Sequence, residues 1–518
     1  MNRKIISGAL VAVLSLTTLA GCGTTAETED IFSQQIGGEI TVSAFEATTY
    51  TSYLEEAARR FEEKHPGTKV NVDIAGSMPQ VRTQEADGMR IGVVQADNDQ
   101  QAREDYIRRI STELMSGRGA DILALDILPY YKYADSGLLV DLDDFMRSDN
   151  DFNRGDFAEN IFDGVKYKGG QFLFPTAYTF SYFSYNRSLA PDFPTKDKLS
   201  FADMFNAVSG SAKDTDNKIF PLAAHTVIGG NLFSELFTQN YEKFIDVEGK
   251  NANFTGGEFA ELLETVKSYA DEGFIPAAST ADPRTGAAGG QAGGSGVQMN
   301  MSAFMQNNQE QFYARTNRNL VLVNQFTRDL GEQTLRVMMV AGGGDTSNDE
   351  IAGLVANDND EVQFSYNMGF GMNQNSENKR TAWEFLKFLA GEEMQTSGFA
   401  RPDGIPVNKN ARERLAAMSI TGENISRQAG RIITGMSDTS DIAGEAVSGE
   451  LTPEQKTALA NYLSQLEKFT ALLNKHIIRD ERIDSMIQDE VRHFFAGTRS
   501  AEEVANALQS RINLYLNE

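Results

Sequence analysis

Residues able to do chemistry are few and scattered in this chain. Its single cysteine, Cys22, excludes an internal disulfide, and the four histidines, His65, His225, His476 and His493, form no zinc-binding pattern. There is no Gly-x-Ser-x-Gly elbow, no Gly-x-x-x-x-Gly-Lys phosphate loop and no His-Glu-x-x-His pair. Asp149-x-Asp151-x-Asn153 imitates the start of a calcium loop, but Arg154 takes the place of the turn glycine and Asn160 that of the bidentate Glu. No metal or cofactor is therefore expected. What the sequence offers is carboxylates beside aromatic rings: Phe45, Glu46 and Tyr50 after one strand-like run, and Asp126, Tyr130 and Tyr131 after another. Rings can cover apolar faces of a ligand while carboxylates accept from its hydroxyl or ammonium groups, which is binding rather than turnover. Helix-face packing accounts equally well for Tyr131, and an N-cap role for Asp126.

The elements that would position these groups read as α/β. Ile40 to Ala44 alternates as a strand, Ser52-x-x-Glu55 is a capping box, and Tyr53, Leu54, Ala57, Ala58 and Phe61 share one helical face. His65-Pro66-Gly67 stops that helix, and Val70, Val72 and Ile74 alternate again, so residues 40 to 74 form a strand-helix-strand unit with parallel strands. Ser77 to Gln101 has little periodicity and reads as an inserted loop or loose helix. Tyr106, Ile107, Ile110, Leu114 and Met115 then make an amphipathic helix before the doubly buried run Asp121 to Asp126. The Gly-rich segment 286–296 reads as a linker, Trp383 as core, and the chain from Thr452 onward as helical, with boxes at Thr452-x-x-Gln455 and Ser500-x-x-Glu503. At 518 residues the chain exceeds a single small core. A net charge of −26 without a basic stripe argues against nucleic acid as a partner.

Residues 1–21 read as a secretory leader: Arg3 and Lys4, an apolar run too short to stay in a membrane, then small residues. Leu19-Ala20-Gly21-Cys22 resembles the lipobox of bacterial lipoproteins, which implies acylation of Cys22 and, through its fatty acyl chains (palmitate among them), a stable membrane anchor. Residues 22–38 are small, polar and acidic, as a flexible tether would be.

In order along the chain, several segments resemble the bacterial extracellular solute-binding proteins of ABC importers, the group that includes the maltose-binding protein. They are Tyr106 to Gly117 with Ala120 to Asp126, Ser136 to Asp144, Phe174 to Arg187, Ala382 to Gly391, Gly404 to Asn408 and Phe495 to Glu503. The resemblance implies a two-lobed periplasmic-binding-protein-like fold of type II. Each lobe would be a mainly parallel sheet flanked by helices, with a helical C-terminal region. Lobe 1 would comprise 39–177 with about 297–345, and lobe 2 would comprise 178–296 with about 346–518. It further implies a monomer on the outer face of a cell membrane, of Gram-positive type, that closes on a small polar solute and delivers it to ABC permease subunits. A carbohydrate or oligosaccharide is the leading ligand. Ligands of open α/β sheets lie beyond the carboxyl ends of strands, which keeps Phe45, Glu46, Tyr50, Asp126 and Tyr130 as candidates. By position in the family pattern, Tyr178 at the first crossing joins them, with hinge packing as its alternative. His225 and Asn231 follow in the other lobe, Asn300, Ser302 and Phe304 at the return crossing, and Tyr366 with Asn367 in a later strand. Met301-Ser-Ala-Phe304 departs from the Gly and Trp frequent there. Two other readings stay open: a surface-anchored enzyme degrading polysaccharide, whose paired carboxylates would be far apart in sequence, and a lipid-anchored adhesion or sensory protein.

Overall fold

The computed structural model describes residues 31–45, 48–76, 80–86, 89–95, 99–186, 195–204, 206, 229–271, 320–323, 349–397, 404–420 and 451–517. Cys22, the leader and most of the tether lie outside these residues, as does the linker 286–296.

β1 (Gly38–Phe45) and β2 (Thr68–Ala75) pair in parallel, Ile40 opposite Val70 and Phe45 opposite Ala75. Between them runs α1 (Thr48–Lys64), whose Tyr53, Leu54, Ala57 and Phe61 are buried as their spacing requires. The helix starts a turn ahead of the Ser52 box, so that box lies inside it and does not cap it. Gly67 takes φ +97°, a backbone conformation that favours glycine, where the chain turns into β2.

The polar stretch after β2 is not an irregular insertion. It holds a hairpin of β3 (Gln80–Ala86) and β4 (Met89–Gln95), with Ala86 opposite Met89, and then the start of α2 (Asp99–Met115). The intervening Asp87-Gly88 is the pair that two-residue hairpin turns favour, a local signal that outweighs the lack of hydrophobic alternation.

β5 (Ile122–Ala124) follows and is buried throughout. α3 (Tyr130–Asp135), α4 (Leu142–Ser148) and α5 (Glu159–Gly164) lead to β6 (Phe174–Phe180), and β7 (Tyr182–Asn186) and β8 (Lys198–Ser200) continue the sheet. A helical layer then comprises α6 (Gly229–Gln239), α7 (Tyr241–Phe244), the short pair β9 (Ile245–Asp246) and β10 (Asn251–Ala252), and α8 (Glu258–Asp271). Its interior is a nest of phenylalanines, Phe233, Phe237, Phe244, Phe254 and Phe259, with ring centroids as close as 4.9 Å between Phe254 and Phe259.

β11 (Leu320–Val323), β12 (Asp349–Ala356) and β13 (Val362–Met372) return to the sheet, whose order is β11-β7-β12-β13-β5-β1-β2. The β1, β2 and β5 pairings are parallel, as are β12 with β8 and β13 with the late strand β15 (Leu473–His476). β13 itself runs antiparallel to β5 and β6 and is the long element of the structure's middle: Val362–Phe364 pairs β15, Ser365–Phe370 pairs β6, and Phe370–Met372 pairs β5.

α9 (Lys379–Leu389) packs on α1 and β1, so residues 379–389 lie in a first packing group with β1, β2, β5 and the helices beside them. Trp383 is core, 0% exposed among Phe145, Phe152 and Phe174, and its indole N–H donates to Asp149 at 2.8 Å. Lys387 pairs with the same carboxylate, which removes any calcium role for Asp149. Burial alone would raise the Asp149 carboxyl; the hydrogen bonds from Lys387 and Trp383 hold it below its ordinary value.

α10 (Glu392–Gln395), β14 (Ile405–Pro406) and α11 (Lys409–Ile420) follow, β14 lying against β6. The C-terminal helices are α12 (Pro453–Leu472), α13 (Glu481–Phe495) and α14 (Ala501–Asn517). Both expected capping boxes form: Thr452 with Gln455, and Ser500 with Glu503. α13 and α14 pack on each other and on α6, α8 and β10, which makes a second packing group.

Candidate functional site

Asp126 stands just past the carboxyl end of β5, and its two oxygens collect three donors. Met368 N donates to Oδ1 at 2.9 Å, Gly369 N to Oδ2 at 3.3 Å, and the Tyr50 hydroxyl to Oδ2. It does not cap a helix, since α3 is capped at Pro129 without any side-chain bond. Among the described residues no Lys or Arg pairs with it. Solvent reaches Asp126, yet burial pushes its carboxyl up to about 6, only partly offset by the bonds from Tyr50 and the two amides. The carboxylate is thus open to solvent on one side and packed against Tyr50, Met368 and Gly369 on the other.

Tyr366 and Asn367, half-buried on β13, stand beside it. The Tyr366 hydroxyl lies 3.5 Å from the Leu125 carbonyl, and burial first, then the Asp126 charge, keeps that hydroxyl protonated. The other face of Tyr366 meets His476 of β15, with centroids 5.2 Å apart. His476 Nδ1 is 3.3 Å from the Phe364 carbonyl; a carbonyl cannot donate, so Nδ1 carries the proton and Nε2 is left as an acceptor. Burial lowers His476 to about 4, so it is neutral at ordinary pH. The Tyr130 hydroxyl is buried and has no partner among the described residues. Together these groups set one carboxylate beside aromatic rings, a neutral imidazole and, among the described residues, an unpartnered hydroxyl, which marks a candidate recess at the carboxyl end of β5. Such an inventory can donate to and accept from a polar molecule, and among the described residues of this group no nucleophile is paired with a base.

The sequence expectations fare unevenly against this geometry. Asp126, Tyr50, Tyr130 and Tyr366 come together; Asn367, half-buried, is the next residue of β13. Phe45 is not an open stacking plate, because its ring is buried against Tyr106 at 5.6 Å and lies under Arg103 at 5.4 Å. Tyr178 is a correction: it is 0% exposed, and its hydroxyl is satisfied by Thr470 at 2.7 Å and Arg412 at 3.3 Å, so it packs the crossing rather than facing the recess. Tyr131 likewise is packed, donating to Asp480. Asn231 lies on α6, in its first turn. Glu46, His225, Asn300, Ser302 and Phe304 lie outside the described residues. His476 was missed, and no sequence signal marks it: Leu473 to His476 directly follows a helix and carries no turn residue or alternation.

Among the described residues no helix is long and apolar enough to cross a membrane, and no His, Cys, Asp and Glu cluster could hold a metal. No curated protein sequence matches the chain. Solved structures do, at the level of fold. An ABC substrate-binding protein from Listeria monocytogenes in complex with cycloalternan is 17% identical, with TM-score 0.50 over 93% of this chain and 99% of that one. A family 1 extracellular solute-binding protein from Alicyclobacillus acidocaldarius gives 14%, 0.52, 94% and 100%. A sugar transporter from Rhizobium etli in an open conformation gives 15%, 0.51, 92% and 99%. The family model for bacterial extracellular solute-binding proteins matches residues 85–421, well over half of the sequence. The chain therefore belongs to the bacterial extracellular solute-binding protein family.

Proposed function

We propose that this protein captures an oligosaccharide in the recess between β5, β13 and β15 and hands it unaltered to an ABC permease. It would be held at the outer membrane face as a monomer by lipid on Cys22. The observation that carries the reading is the Asp126 carboxylate, exposed to solvent beside Tyr50 and Tyr366 with no cation paired to it among the described residues. Sugar hydroxyls donate to such an acceptor, and to Nε2 of His476, while the Tyr366 ring supplies apolar surface. The bound cycloalternan of the Listeria protein and the sugar transporter from Rhizobium support the ligand class. Two lobes would meet at β13, the first built on residues 39–177 together with 379–389, the second on the helices around residues 229–271 and 480–517.

The test is a thermal-shift screen of linear and cyclic gluco-oligosaccharides, amino acids and polyamines, followed by calorimetry and product analysis. A ligand at about 100 times its Kd stabilises the native state by about 2.7 kcal/mol, a readable shift. A saccharide series that shifts the midpoint and is recovered intact is the expected result. Stabilisation by amino acids or polyamines alone refutes the ligand class, and cleavage of a saccharide refutes the binding-only role.

A further inference from the structure

Away from the sheet, a set of side chains joins the two packing groups, and a buried carboxylate is its centre. Asp480, 4% exposed, caps α13 through Oδ1, which accepts from Arg482 N at 2.9 Å and Ile483 N at 3.4 Å. Its Oδ2 accepts two phenol protons, from Tyr131 of α3 at 2.8 Å and from Tyr515 of α14 at 2.9 Å. Both phenols are buried, and burial first, then the Asp480 charge, keeps them protonated and therefore donating. Lys132, next to Tyr131, donates to the Tyr515 carbonyl at 3.0 Å and lies 3.8 Å from the centre of its ring. Arg103 of α2 pairs with Glu481 at 3.0 Å.

Three of these contacts, Tyr131–Asp480, Lys132–Tyr515 and Arg103–Glu481, join α2 or α3, in the first packing group, to α13 or α14, in the second, while Tyr515–Asp480 ties α14 to the start of α13 within the second. Their position relative to the cleft follows from chain direction. α2 ends where β5 begins, and α3 begins where β5 has ended, so Arg103 and Tyr131 both lie at the carboxyl ends of the first group's strands, the side that holds Asp126. Arg103 indeed covers Phe45, the last residue of β1.

We propose that Asp480, clasped by Tyr131 and Tyr515, is an interlobe latch that sets how often the solute-free protein is closed. Tyr131 directly follows Tyr130, whose buried hydroxyl has no partner among the described residues, so the latch also fixes that end of α3. The inference rests on the solute-receptor reading for its purpose, but its measurement needs no solute.

The experiment uses the full chain in a Cys22→Ser background, with spin labels at Glu63→Cys on α1 and Glu264→Cys on α8, both exposed. Pulsed electron resonance then reads the distance between the two groups without ligand. Tyr131→Phe removes one proton from the latch and keeps the ring, so folding is preserved; Asp480→Asn is the stronger lesion. Asp149→Asn, a buried carboxylate inside the first group, is the control that weakens packing without touching the latch. The expected result is a shift to longer distances in Tyr131→Phe and Asp480→Asn but not in Asp149→Asn. Wild-type distances in Tyr131→Phe, or the same lengthening in Asp149→Asn, overturn the latch. If a saccharide still binds those variants normally while the distances stay fixed, the latch falls and the receptor reading stands.

Discussion

Binding of the solute should weaken on mild acidification, and Asp126 sets where. Its carboxyl titrates at about 6 because burial is only partly offset by Tyr50 and the amides of Met368 and Gly369. A sugar hydroxyl that donates to this group needs the ionised form, so apparent affinity scales with the ionised fraction. At pH 7.5 nearly all of it is ionised; at pH 5 about one molecule in eleven is, so the Kd should rise roughly tenfold between the two. His476 cannot produce this change, since burial lowers it to about 4 and it stays neutral throughout the range. Asp126→Asn should abolish the slope. The amide oxygen can still accept from Met368 N, and Tyr50 can turn to accept from the amide nitrogen, but Gly369 N loses its acceptor, a stability cost of about 1 kcal/mol. Isothermal calorimetry of wild type and Asp126→Asn at several pH values, with the saccharide returned by the screen, is the assay. A wild-type Kd that stays flat from pH 5 to pH 7.5, or a slope that survives Asp126→Asn, refutes the reasoning.

Other consequences are independent of the ligand. Because the folded His476 value lies near 4, below that of an unfolded histidine, the unfolded state binds more protons between about pH 6.5 and 4. Stability from this residue is then complete above that window and falls by up to about 3 kcal/mol across it; His476→Gln should remove this acid-side loss in urea melts. Gly404 has φ +107°, and a Cβ there would stand 2.7 Å from the Tyr178 carbonyl, so Gly404→Ala should cost more than about 2 kcal/mol. Gly137→Ala, with φ +65° and open space, should cost only about 1 kcal/mol, and parallel thermal melts compare the two. Trp383, the sole tryptophan and 0% exposed, should emit at short wavelength and resist acrylamide in the folded protein. Trp383→Phe leaves Asp149 one donor short and should destabilise by about 2 kcal/mol, read by circular dichroism.

What the sequence disclosed about this fold follows from the range of the forces involved. Local periodicity and caps marked α1, β1, β2, α2 and α12, because a buried face repeats at the element's own period and a capping box is complete within four residues. The hairpin of β3 and β4 was overlooked because its cue is two turn residues rather than an alternating face. Asp126 was legible as a residue beyond a strand end. Its true partners were not, since Met368 and Gly369 reach it only when β13, more than 240 residues further along the chain, pairs with β5, and the Tyr50 hydroxyl reaches it from α1 across the sheet end. Tyr178 misled for a related reason: a crossing residue can face the ligand or the hinge, and only Thr470 and Arg412, far along the chain, decide between them.

The same crossing would make the proposed binding and lobe movement share residues. Met368 holds φ +51° on β13, an uncommon conformation for a side chain of its kind, between the Asp126 contact to its amide and the Thr176 hydroxyl, which donates to its carbonyl at 2.8 Å. Asp126 therefore anchors a strained point of the strand that both packing groups share. A solute that takes one of its remaining lone pairs competes for charge with the two amides that fix this backbone. Neutralising the carboxyl weakens those bonds in the same way. On the proposed binding mode, solute capture and protonation would act on one carboxylate, at the point where β13 leaves β6 for β5, with no separate wire between the proposed site and the crossing.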